Sequence, residues 1–345
     1  MVSVVQVMAG AAVGGAEAFF ERLALALPRD RIAQTLIVRR NEAREARLRA
    51  GGNAPLALRF GGPFDFATRR QIRRVIRERH PRVVLAWMNR ATAASPRTVR
   101  GERFALVGRL GGYYNLKYYR HCHHLIGNTR GICDYLVGKG WSGNRVHHLP
   151  NFADVYQGPP IDRSEIGVPE GRHMMLAAGR LHVNKGFDVL VRALSHVPEA
   201  QLCIAGSGPD EAELKKLADA QGIADRVTWL GWVQDLGPLY RAADMFVCAS
   251  RHEPLGNVII EAWAHGCPVV AAAAQGPSEL IQDGQDGLLV PVDNPQRLAT
   301  AINHVLREPG LARSIGLAGS SRYESAFSRD VVVERYTEFL ETVTP

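Results

Sequence analysis

Short runs of β-branched and other apolar residues alternate along this chain with longer segments whose apolar positions recur every three to four residues. The runs fall at residues 2–8, 34–38, 83–87, 104–109, 125–127 and 146–149, and again at 174–178, 201–205, 227–230, 245–249, 269–273 and 288–290. A strand covered on both faces reads as a near-continuous apolar run, and a run followed by a helical-period segment is the βα unit of parallel sheets. The alternation therefore predicts two α/β sheets, one in each half. Between the halves, Pro150-Asn-Phe-Ala-Asp154, Gln157-Gly-Pro-Pro160 and Val168-Pro-Glu-Gly171 lack apolar periodicity and predict a linker. Residues 327–343 predict an amphipathic helix with Val331, Val332, Tyr336, Phe339 and Leu340 on its apolar side. At 345 residues the chain exceeds the size at which one core stops growing. The expected division is 1–157, 158–326, and a last helix over 327–345 that caps one of the two domains.

Charge separates the halves further. Residues 1–150 hold 26 Lys+Arg against 9 Asp+Glu, a balance of +17, whereas residues 151–345 hold 16 against 25, a balance of −9. A basic domain suits an anionic partner such as nucleic acid, an anionic membrane surface or a phosphorylated substrate, and an Arg-rich solvated surface is the alternative. No nucleic-acid-binding module accompanies the charge, so no nucleic acid is expected as a partner. Cys122, Cys133, Cys203, Cys248 and Cys267 form no CxxC pair or ligand spacing and read as reduced thiols. No apolar stretch reaches 18 residues and the chain opens directly on a strand-like run, so a cytoplasmic protein is expected.

The densest chemical signal is Arg251-His-Glu253-Pro-Leu-Gly-Asn-Val-Ile-Ile-Glu261, which directly follows an apolar strand. In open α/β sheets ligands sit outside the carboxyl ends of the strands, the position this segment takes. Leu255, Gly256, Asn257 and Val258 bring the chain into the next helix, whose backbone N–H groups and positive dipole end attract phosphate. Glu261 follows one turn later, inside an apolar run where an unpaired buried carboxylate would be costly. A second signal, Gly179-Arg-Leu-His-Val-Asn-Lys-Gly186, also follows a strand, and its Arg180 and Lys185 supply a forked donor and a point charge suited to a diphosphate. Gly206-Ser-Gly208-Pro209 and Gly14-Gly15-Ala-Glu17 allow close backbone approach at two further strand ends.

Missing motifs discriminate as well. There is no GxxxxGK[ST], no GxGxxG and no DxD pair, and His121, His123 and His124 have no evident carboxylate partner, so no metal site is expected. Residues 69–79 carry six arginines around Ile72, Val75 and Ile76, a pattern that suits a helix packed on the sheet or an interfacial helix on anionic lipid. Arg109-Leu-Gly-Gly-Tyr113-Tyr114-Asn-Leu-Lys117-Tyr-Tyr-Arg120 mixes glycines, tyrosines and cations as a binding loop does.

Taken together, these segments resemble the family 4 (GT4-type) retaining glycosyltransferases. The likeness rests on Glu253 and Glu261, on Gly179-Arg-Leu with Lys185-Gly186, on Gly206-x-Gly208-Pro209, on Ala243-Asp244-Met-Phe-Val and on Gly276-Pro-Ser-Glu279-Leu-Ile281, with a looser match through Gly14-Gly15-Ala-Glu17 and Pro150-Asn151. The resemblance implies the GT-B fold, two Rossmann-like doubly wound domains facing a cleft, the first binding the acceptor and the second a nucleotide sugar. It implies that Glu253 contacts donor-sugar hydroxyls, that Glu261 holds the ribose, and that Arg180 and Lys185 stabilise the diphosphate with help from residues 256–258 and Gly15. It further implies retention, and neither metal nor cofactor. Many relatives have a histidine after the strand leading to the acceptor cleft, where this chain reads Trp87-Met88-Asn89-Arg90. That stretch and the 109–114 loop are similar to bacterial enzymes that build lipopolysaccharide cores or surface polysaccharides. Asn89, Arg90, Arg109, Tyr113, Tyr114 and Lys117 are accordingly the expected acceptor residues, for a glycolipid or oligosaccharide at the inner face of the membrane. The expected reaction is hexose transfer from a UDP- or GDP-sugar. A nucleotide-sugar 2-epimerase on the same scaffold and a non-catalytic binding protein are the alternatives.

Overall fold

A computed structural model describes residues 1–345 apart from Val13 and Pro63. The chain forms two compact units, one of residues 1–151 with 329–345 and the other of residues 152–328. Residues 152–157, expected with the first domain, pack in the second unit: Ala153 lies in its core and its carbonyl accepts from the Tyr323 hydroxyl at 2.8 Å.

The first unit is a seven-stranded parallel sheet of β1 (Val2–Met8), β2 (Ile32–Arg39), β3 (Leu56–Leu58), β4 (Val83–Trp87), β5 (Ala105–Leu110), β6 (His124–Gly127) and β7 (Val146–His148). Its order is β3-β2-β1-β4-β5-β6-β7. β4 is buried at every position because helices cover both faces. β3 escapes the sequence pattern because three half-exposed residues at an edge carry too little periodicity. Helix Phe66–Arg79 turns Thr68, Ile72, Val75 and Ile76 inward and its arginines outward, so its apolar face is spent on the protein. The Asp65 side chain caps it by accepting from the Thr68 backbone N–H at 2.9 Å.

Helix Arg329–Thr342 belongs to this unit. Val332, Tyr336 and Leu340 are fully buried, and Arg31 grips Glu334 and Glu341 at 2.8 and 2.7 Å. Beneath its end, His124 Nδ1 and His147 Nε2 lie 3.0 Å apart and the His147 ring packs on Phe339. Burial, and then the facing His124, push His147 down to about 4. The unfolded chain takes that proton near 6.5 and the folded one near 4, so this contribution to stability is complete above pH 6.5 and is lost progressively as pH falls to 4. The urea midpoint is expected to drop across that window in the native protein, and His147→Leu is expected to flatten the drop.

The second unit contains β8 (His173–Ala178), β9 (Ala200–Ala205), β10 (Val227–Gly231), β11 (Met245–Cys248), β12 (Val269–Ala272) and β13 (Leu288–Val290), all parallel, in the order β10-β9-β8-β11-β12-β13. Two apolar layers flank it, one around Leu190, Leu202 and Ile302, the other around Phe246, Ile260 and Trp263. Both sheets reverse their winding once, between β1 and β4 in the first and between β8 and β11 in the second. At such a switch point adjacent loops diverge to opposite faces and leave a crevice at the strand ends. The five cysteines are all free thiols. No helix among the described residues is long and apolar enough to cross a membrane.

Candidate active site

The switch point of the second unit brings together the loop after β8 and the loop after β11. Lys185, 68 residues before Glu253 in sequence, places its ammonium on the Glu253 carboxylate. Glu253 is 9% exposed and its second neighbour is the Ser250 hydroxyl at 3.5 Å. Burial pulls the Lys185 ammonium down, but the Glu253 charge more than offsets this and leaves its pKa above the ordinary value. The Lys185 ammonium is thus held charged beside Glu253.

The two loops are locked by contacts that sequence reasoning missed. Arg251 donates twice to Asp188, at 2.7 Å each, and to the Val183 carbonyl at 2.9 Å, while the Arg251 and His252 backbone N–H groups donate to the Asn184 carbonyl. Asp188 is held below the usual carboxylate range first by the Arg251 hydrogen bonds. Arg251 stood inside the motif, yet its partner lies 63 residues away and no local signal named it. Arg180, in contrast, is exposed.

Glycines set the floor. Gly179 and Gly206 have φ of 150° and 149°, and a Cβ on Gly206 would lie 1.8 Å from the Gly179 carbonyl oxygen. A Cβ on Gly208 would lie 2.1 Å from the Leu181 carbonyl oxygen. The loops after β8 and β9 therefore touch backbone to backbone, with Gly179 N–H donating to Ala205 and Leu181 N–H to Ser207. Gly206→Ala is expected to cost at least ~2 kcal/mol through overlap and left-handed strain, read as a lowered urea midpoint.

Gly256, at φ 96°, opens helix Asn257–Ala264, and Gly266 at φ 66° follows its end. Leu255 buries its side chain in the core, which leaves only its backbone to face a ligand. Asn257 and Val258 form the first turn, half-exposed, with the polarity that attracts anions. Glu261 is half-exposed rather than enclosed, on a helix whose Ile259, Ile260 and Trp263 face the core. Its carboxylate lies 3.5 Å from the hydroxyl of the buried Tyr240, which sequence reasoning also missed.

In the first unit the switch point carries Gly15 at the start of helix Gly15–Ala26, and Asn89 and Arg90 at the start of helix Met88–Ala94. Glu17 folds back to accept from the Ala11 N–H at 2.6 Å. Met88, between β4 and Asn89, has φ 60°, a strained value for a side chain of this size. Arg90, Tyr113 and Lys117 are exposed, Lys117 resting 4.9 Å from the Tyr118 ring centre, and Tyr114 is half-buried.

Arg109, expected among the acceptor residues, lies inside the first unit. It is fully buried, with its guanidinium against Asn151 and the Tyr336 hydroxyl and over the rings of Trp87 and Phe19 at 4.7 and 5.1 Å. Its position inside β5, with helix Arg329–Thr342 on one side, makes it a brace of the first unit. The histidines also have structural partners: His121 faces the Thr92 carbonyl, His123 accepts from the Leu106 N–H, and His124 faces His147. Among the described residues no three His, Cys, Asp or Glu side chains gather to hold a metal.

Two Rossmann-ordered sheets, one with a paired cation and carboxylate and a helix start at its switch point, define a protein of the GT-B glycosyltransferase class. A glycosyltransferase from Rickettsia africae ESF-5 matches this chain with a TM-score of 0.87 at 18% identity, covering 99% of this chain and 98% of its own. Anabaena Alr3699/HepE, solved in complex with UDP-glucose, matches with a TM-score of 0.85 at 21% identity, covering 99% and 100%. The model for Glycosyltransferase Family 4 matches residues 13–157 and that for Glycosyl transferases group 1 matches residues 172–308. The lipopolysaccharide core biosynthesis glycosyltransferases LpsE and LpsD of Rhizobium meliloti (strain 1021) are each 31% identical over 335 residues, which cover 95% of this chain and 96% and 95% of theirs. The chain belongs to the group 1, family 4 glycosyltransferases.

Proposed function

We propose that this enzyme transfers a hexose, with retention, from a UDP- or GDP-sugar to a lipid-linked or oligosaccharide acceptor in lipopolysaccharide core or surface polysaccharide assembly. The observation that carries the reading is the Lys185–Glu253 contact at the switch point, between a phosphate-attracting helix start and the exposed Arg180. In this proposal the donor diphosphate takes Arg180, Lys185 and the first turn at residues 256–258, with the backbone of Leu255 and glycines 179, 206 and 208 lining its approach. Glu253, as Lys185 turns to phosphate, accepts hydrogen bonds from sugar hydroxyls, and Glu261 accepts from the ribose. Leaving-group charge is then neutralised by protein cations, so the reaction needs no metal or resident cofactor. Gly15, Asn89 and Arg90 line the acceptor side.

The names of LpsE and LpsD support the pathway, and the HepE complex supports a uridine donor. Family membership sets transfer ahead of the epimerase and binding-protein readings. The site of action is the cytoplasm, with peripheral contact between the basic first unit and the anionic inner face of the membrane. Nucleotide release from UDP-, GDP- and ADP-sugars, measured with lipopolysaccharide core acceptors and with NMR of the product anomer, tests the proposal. Turnover with one donor and a retained anomer is expected. No release with any donor, or full activity in Glu261→Ala, would sink it.

A further inference from the structure

One cavity of the first unit lies beside the loop after β5. It measures about 540 Å³ and opens between the loop after β5 and helix Arg130–Gly138 of the first unit. Tyr113, Tyr114, Tyr135 and Trp141 give it ring surfaces, and Arg120 and Lys139 give it cations, with no carboxylate in the described lining. The ring walls are held in place rather than draped: the Tyr135 hydroxyl donates to the Tyr114 carbonyl at 3.0 Å, and the Tyr113 and Tyr135 rings meet edge to face at 5.5 Å. Lys139 stands 5.9 Å from the Tyr135 ring centre, while Tyr113, Arg120 and Lys139 are exposed. Helix Arg130–Gly138 starts at the end of β6, and Lys139 sits nine residues on, ~13 Å down the helix.

We infer that this cavity is a subsite for an anionic saccharide: a sugar ring bearing a phosphate ester or a carboxylate, stacked on Tyr113 and Tyr135 with its anion on Arg120 and Lys139. Ring faces complement the apolar faces of sugar rings, and two cations without a carboxylate select negative charge. The subsite rests on the glycosyltransferase reading and narrows its acceptor: a lining that runs from Tyr113, in the loop after β5, to Lys139, past the far end of the helix, suits an extended, charged saccharide rather than a single neutral sugar.

Ligand-observed NMR on the intact protein with methyl glucoside, its 6-phosphate and methyl glucuronide tests this without needing turnover. At least one of the anionic probes is expected to bind tenfold or more tightly than the neutral one, and the tighter of the two identifies the anion. Arg120→Ala/Lys139→Ala, both exposed positions, is expected to erase that preference, with UDP thermal shift and acceptor-free donor hydrolysis unchanged. Tyr113→Ala is expected to weaken all three probes. Equal binding of charged and neutral probes, or a preference untouched by the double substitution, overturns the subsite. Inorganic phosphate competing as well as the glucoside phosphate, with Tyr113→Ala silent, overturns the stacking. Failure of the glycosyltransferase reading shows separately, as no nucleotide release by the native enzyme.

Discussion

Glu253→Gln is expected to lower kcat by about 10²–10³-fold while UDP binding stays close to that of the native enzyme. The substitution keeps the shape of a side chain only 9% exposed and keeps an oxygen for Lys185, so the fold survives. What it removes is the charge, and with it, in the proposed mechanism, both the acceptor strength offered to sugar hydroxyls and the anion that parks Lys185 beside the donor diphosphate. Steady-state kinetics with saturating donor reads the change. A kcat within about fivefold of the native value would exclude Glu253 from the transition state, since loss of one preorganised charged contact costs more than that.

Lys185→Ala is expected to damage stability and activity together. Removing one partner of a buried ion pair leaves the other charge uncompensated, an effect of about 3–5 kcal/mol when burial is complete. The Lys185 side chain is 26% exposed, so solvent reduces the cost to ~2–3 kcal/mol. Lys185→Ala/Glu253→Ala is expected to recover part of that stability and none of the turnover. Arg180→Ala is the control, since in the proposed mechanism this exposed side chain serves turnover and not stability. It is expected to lower kcat/KM at least tenfold with an unchanged urea midpoint. Equal urea midpoints for Lys185→Ala and the native protein would show that the pair does not hold the loops.

The strands of both sheets were legible because burial on two faces leaves an unmistakable apolar run, as in residues 83–87 and 174–178. The edge strand Leu56–Leu58 was not, since three half-exposed residues obey no period. Glycines 179, 206 and 208 were legible as loop glycines, while their task, allowing two loops to touch within one carbonyl's reach, was not. Arg109, beside two glycines and two tyrosines, reads from the sequence as part of a binding loop. Only the packing of Tyr336 and Trp87 around its guanidinium reveals a buried brace.

By itself the sequence determined which segments become strands, which loops carry cations and carboxylates, and the contrast between a basic and an acidic half. Each of these is set by residues close together in the chain, through periodicity, backbone freedom or charge. The tertiary structure alone decided which loops meet. Periodicity does not set strand order, and it is the order β10-β9-β8-β11 that carries Lys185 across 68 residues to Glu253 and Arg251 across 63 to Asp188. Those pairings form only when long-range packing of the sheet and its helices has fixed the switch point.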